Sequence, residues 1–146
     1  MSGAKPFLKG ISATVSRDAI WGFSYTLTRK YLYSAMGVNS ILTLERNNWE
    51  RMGCDFFAGG VAAVLSSPFN YARNIQYASC PSEKAPSIYS ILKGVWHETK
   101  GRGFLGGALL LETRMRIGWG FLRTSLGTSF GHYAFRSTQA FFDQKE

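Results

Sequence analysis

Long hydrophobic runs are missing from this sequence: it contains no stretch of 18 apolar residues, so hydropathy alone names no membrane span. Charge is also scarce. Only 18% of residues are charged, against roughly a quarter in ordinary soluble domains. The two cysteines, Cys54 and Cys80, have no metal-ligand spacing and suggest no disulfide framework; both read as small, idle thiols. A glycine-rich phosphate loop, His-Glu-x-x-His, Cys-x-x-Cys and a dinucleotide fingerprint are all absent. Ser66-Ser67 has no evident base, while His97 and His132 stand alone and read as interfacial or packing residues. No enzymatic function, metal or cofactor is therefore expected. The start, Met1 to Pro6, resembles neither a signal peptide nor an Arg-rich presequence, so targeting information is expected to be internal.

Apolar and aromatic residues are plentiful. Hydrophobic residues make up 45% of the chain, aromatics 15%, and there are 16 glycines, a balance that leans toward a membrane. The longest stretch free of charge runs from Phe56 to Ala72. The net charge of +8 favours anionic partners such as acidic lipid or phosphorylated solutes. Its cations are scattered, with no block longer than Arg29-Lys30, so no nucleic-acid partner is expected.

The two ends of the chain resemble each other. A shift of 97 positions aligns Phe7-Leu8-Lys9-Gly10 with Phe104-Leu105-Gly106-Gly107, Arg17 with Arg114, and Ile20 with Ile117. Helical patterning is expected over 11–35, bounded by Gly10 and Gly37, and again over about 52–77, with Pro68 inside as a kink. A polar connection over 36–50 joins them. After a loop from Cys80 to Pro86, Ser87 is placed to cap a short amphipathic helix whose face carries Ile88, Ile91, Leu92, Val95 and Trp96. Lys100-Gly101-Arg102-Gly103 breaks the chain before a third long helix, expected over 104–135.

The segment from Phe56 to Arg73 resembles the signature helix of the mitochondrial carrier family, in which small residues precede Pro-x-Asp/Glu-x-x-Lys/Arg and a nearby Gln. Here Pro68, Arg73 and Gln76 fit, and Asn70 replaces the acid. The short amphipathic helix, Gly101, and Gly103-Phe104-Leu105-Gly106-Gly107 look like that family's matrix helix and the glycine-rich lead-in to its next helix. Phe7 to Gly10, followed by Arg17, looks like the same lead-in from another repeat. The resemblance implies an all-α membrane protein, half of a carrier fold: three transmembrane helices plus a matrix-side helix. Residues 7–35 would be an even-numbered helix and 52–135 a complete third repeat, in the mitochondrial inner membrane.

That resemblance also implies lost transport. Three long helices with one proline elbow form half a barrel, and Asn70 cannot supply the acid of the family's salt-bridge gate. Thr28-Arg29 and Ser125-Leu126, at the places of the second gate, contain no acid either. Arg17 and Arg114 match cavity-facing positions, as a leftover anion site or as arginines paired with a partner. On a continuous helix Arg116 and Arg123 would share one side and Arg114 would point about 200° away from Arg116, so protein or headgroups must meet at least one set. Gly59 with Ala63, and Gly127 with Gly131, have the small-x-x-x-small spacing of close helix packing. Gly10, Gly101 and Gly107 resemble the turns that hold cardiolipin phosphates. The expectation is a transport-inactive accessory subunit of an inner-membrane complex, a respiratory-chain complex or ATP synthase, contacting other subunits and structural cardiolipin. The alternatives are a carrier that dimerises to move an anionic metabolite, and a soluble basic binding protein.

Overall fold

The computed structural model describes residues 10–36, 48–79 and 85–143. Expectations for residues 7–9, Gly37, Glu45 to Asn47 and Cys80 to Lys84 lie outside that set. Among the described residues all regular structure is α-helical: α1 (Ile11–Ala35), α2 (Asn48–Ala78), α3 (Ile88–Lys100), α4 (Gly103–Met115) and α5 (Ile117–Asp143). One of these, over Trp49–Ala78, is long and apolar enough to cross a membrane.

Local chemistry sets most boundaries. Gly10 turns into α1 with φ +79, and its bare Cα lies against the ring of Tyr77, where a Cβ would collide. Ser87 caps α3 as expected, its Oγ accepting from Ser90 N at 3.1 Å. Ile91 and Val95 are the buried part of the expected apolar face, while Trp96 points outward. α2 starts four residues earlier than expected, with Glu50 in its first turn favourably placed near the helix start. Pro68 lies inside α2 and leaves the carbonyl of Val64 without its amide donor.

The expected single helix over 104–135 is two helices. Arg116 has φ 51 and ψ 45, the left-handed region, and separates α4 from α5. Glu112 explains the break. Its carbonyl accepts from Arg116 N at 2.7 Å, and its carboxylate accepts from Gly118 N at 2.9 and 3.0 Å. In a continuous helix that amide would bond the carbonyl of Arg114. The angular argument relating Arg114, Arg116 and Arg123 on one ideal helix therefore does not hold.

The chain forms two compact units: Met1–Trp21 with Leu65–Gly118, and Gly22–Val64 with Trp119–Glu146. In the first, Ala13, Ser66, Ser67, Ala72, Ile91, Val95 and Leu110 are buried, and Val15, Leu65, Phe104, Leu105 and Leu109 are exposed. Gly107 lets α4 pass close to Thr99 at the end of α3. In the second unit the interior is Ser24, Tyr25, Cys54, Asp55, Ala58, Ala62, Ala63, Ser125 and Ser129. Phe23, Leu27, Phe57, Val61, Trp119, Leu122 and Phe130 lie on its outside. Gly59 and Gly60 bring α2 against Thr128 and Phe121 of α5, so the Gly59–Ala63 stripe packs within the chain, whereas Gly127 and Gly131 face open space.

Candidate functional site: a buried carboxylate held by two arginines

The second unit is organised around Asp55, whose side chain is only 1% exposed. An isolated carboxylate in such a place is costly, so each oxygen must find donors. Oδ1 accepts from Tyr25 OH at 3.2 Å and Tyr33 OH at 3.4 Å, and Arg29 Nε lies 2.9 Å from it as an ion pair. Oδ2 accepts from Arg136 Nη2 at 2.8 Å and lies 3.2 Å from His132 Nδ1. Those five groups surround both oxygens of the carboxylate. They also join α1, α2 and α5.

Around this centre the donors brace one another. Tyr25 OH and His132 Nδ1 are 3.0 Å apart, and both nitrogens of the Arg29 fork that face Tyr33 reach its hydroxyl, at 3.3 and 3.2 Å. The Arg29 guanidinium sits 5.1 Å from the Tyr33 ring centre and 5.9 Å from that of Tyr25. Backbone near Asp55 is fastened to α5 as well: Thr128 Oγ1 donates to the Asp55 carbonyl at 3.3 Å, and Ser129 Oγ to the Met52 carbonyl at 2.7 Å. Beside it, Cys54 Sγ lies 3.2 Å from Met36 Sδ. Held in this way, the carboxylate ties three helices together.

The residues singled out from sequence lie elsewhere, most of them in the first unit. Pro68 and Asn70 are half-buried on α2. Gln76 is buried and donates to the Pro86 carbonyl at 2.9 Å; Arg73 lies 5.9 Å from the Tyr77 ring centre. Arg73 Nε and Gln76 Oε1 are buried without a hydrogen-bond partner among the described residues. Arg17 pairs with its neighbour Asp18 through Nε at 2.8 Å. Arg114 reaches Glu98 at 3.5 Å, and Glu98 also takes Arg102 at 3.2 Å. Arg116 is exposed at the helix break, and Arg123, in the second unit, is exposed on α5.

The three glycines differ in conformation. Gly10 carries the positive φ of a turn, but Gly101 is right-handed at φ −78, and the positive φ of that corner belongs to Gly103. Gly107 sits inside α4 rather than at its start. The Asp55 centre itself was not anticipated. Thr28-Arg29 contains no acid, as the sequence shows, but α2 brings Asp55 to Arg29; His132, isolated in the sequence, lies beside the same acid. One signal was present: Tyr25-x-x-x-Arg29 and His132-x-x-x-Arg136 repeat the same ring-to-arginine spacing on two helices.

Comparison with protein-family models, curated proteins and solved structures found no match.

Proposed function

We propose that this chain is a multi-pass membrane protein with a structural role: a transport-inactive, carrier-derived accessory subunit of a large mitochondrial inner-membrane complex. The observation that carries the reading is the inverted distribution of side-chain size. Alanine and serine are the commonest buried residues, beside the Asp55 cluster and the aliphatic Ile91, Val95 and Leu110, while Phe23, Leu27, Phe57, Val61, Leu65, Leu109, Leu122 and Phe130 lie outside. In water, each such side chain would forgo roughly 1.5–3 kcal/mol of burial. In lipid that penalty vanishes, and helices instead associate through small residues and interior polar bonds.

Length supports three spans. α1, α2 and α5 have 25, 31 and 27 residues, and at 1.5 Å per residue each exceeds the roughly 30 Å hydrocarbon core. The Asp55 clamp supports a scaffold over a reaction centre, since its carboxylate is held from within the chain. Gly127 and Gly131, open on α5, offer a close-approach face to a partner helix. The mitochondrial placement, the respiratory-chain complex or ATP synthase as host, and structural cardiolipin follow from the carrier resemblance of Phe56 to Arg73 and of the glycine corners.

Native gel electrophoresis after mild solubilisation tests this. The chain should migrate with a large membrane complex and be lost when that complex is dissociated. Migration alone, together with solute exchange by the purified chain in liposomes, would contradict it and favour a dimerising carrier.

A further inference from the structure

We infer that the Asp55 centre carries, on its outer side, a binding seat for a phosphate group formed by Arg29 and Arg136; this rests on the membrane reading above. Charge balance is the first argument. One carboxylate faces two guanidinium groups. Even with His132 counted as neutral, one positive charge has no counter-ion at the centre. By sequence, the segments of the second unit carry seven basic residues (Arg29, Lys30, Arg46, Arg51, Arg123, Arg136 and Lys145) against five acidic ones (Glu45, Glu50, Asp55, Asp143 and Glu146), so the wider unit is cationic as well.

Geometry makes the surplus reachable. Asp55 is sealed at 1% exposure, but Arg29 and Arg136 are 32% and 28% exposed. Arg29 reaches Tyr33 through Nε and Nη2, with Nε also ion-paired to Asp55, while Arg136 reaches Asp55 through Nη2. A guanidinium has five N–H donors, so both retain donors for an outside acceptor. Forked donors on fixed arginines match phosphate oxygens better than a single point charge does.

Depth argues for lipid-borne phosphate. Arg29 lies six residues before the end of α1, Asp55 seven after the start of α2, and Arg136 seven before the end of α5. Each is thus about 10 Å inside its helix end. With the excess length of each helix shared between the two sides of a 30 Å core, such a layer lies within about 5 Å of the boundary between hydrocarbon and headgroups, within reach of a long arginine side chain. Tyr31 and Trp49 are exposed near the same ends of α1 and α2, as interfacial aromatics are.

The test uses the full chain in phosphatidylcholine bilayers with and without phosphatidylglycerol, reading bound lipid by native mass spectrometry. The wild type should retain phosphatidylglycerol over phosphatidylcholine. Arg29→Gln and Arg136→Gln should each weaken that retention about tenfold. Arg136→Lys, which keeps the charge and loses the fork, should fall between. Arg123→Gln removes the same charge away from Asp55 and should change nothing. Displacement by excess inorganic phosphate would mark a seat open to free phosphate; persistence would mark one specific to the headgroup. Equal retention in all variants overturns the proposal, and failure to float with vesicles of either composition overturns the membrane reading itself.

Discussion

Arg29 and Arg136 grip opposite oxygens of one carboxylate: Arg29 Nε is 2.9 Å from Asp55 Oδ1, and Arg136 Nη2 is 2.8 Å from Asp55 Oδ2. The two arginines are 107 positions apart in sequence and belong to α1 and α5, with the acid on α2. Every helix of the second unit therefore meets at this point.

Removing the acid should be far worse than removing either base. Asp55→Asn removes the one buried acid that two guanidinium groups share, and loss of one partner of a buried ion pair typically costs about 3–5 kcal/mol. Denaturant titration in detergent micelles should register that loss. Combining it with Arg136→Gln should recover part of it, because the second cation is then gone; additive losses would mean that the two side chains do not interact.

Glycine substitutions separate the inner from the outer face. Gly60→Ala drives a Cβ into the Phe121 ring, and overpacking of that kind costs about 1–3 kcal/mol. Gly127→Ala meets nothing within 4 Å, so the isolated chain should gain up to about 1 kcal/mol from lower backbone entropy in the unfolded state. In the assembled complex the same methyl should weaken association. Unfolding of the purified variants, set beside their recovery in the native complex, measures both effects.

The helix break at Arg116 predicts opposite outcomes for two variants. Arg116→Gly adopts φ 51 without a Cβ and should stabilise by about 1 kcal/mol. Glu112→Ala removes the carboxylate that receives Gly118 N and should cost about 1 kcal/mol, fraying the start of α5. Thermal unfolding compares them, with hydrogen exchange at Gly118 as the local readout.

What could be read from the sequence was local. The Gly10 turn, the extent of α1 and the Ser87 cap each depend on a few neighbouring residues, and the structure has them where they were expected. The Asp55 centre could not be read the same way, because it gathers residues from 25 to 136 and pairing across that distance leaves no contiguous motif. Asp55 also stands immediately before the charge-free stretch from Phe56 to Ala72, where it resembles an ordinary polar flank. The break at Arg116 escaped for another reason. Arginine is a good helix former, and what stops the helix is a carboxylate four residues earlier that captures the amide two residues beyond.

Alkaline carbonate extraction of membranes that contain the chain addresses the central claim, that lipid covers its large apolar side chains. The protein should remain in the membrane pellet after extraction, with Phe23, Phe57, Leu109 and Phe130 still out of water. Release into the supernatant as a folded, monodisperse helical protein would contradict the account.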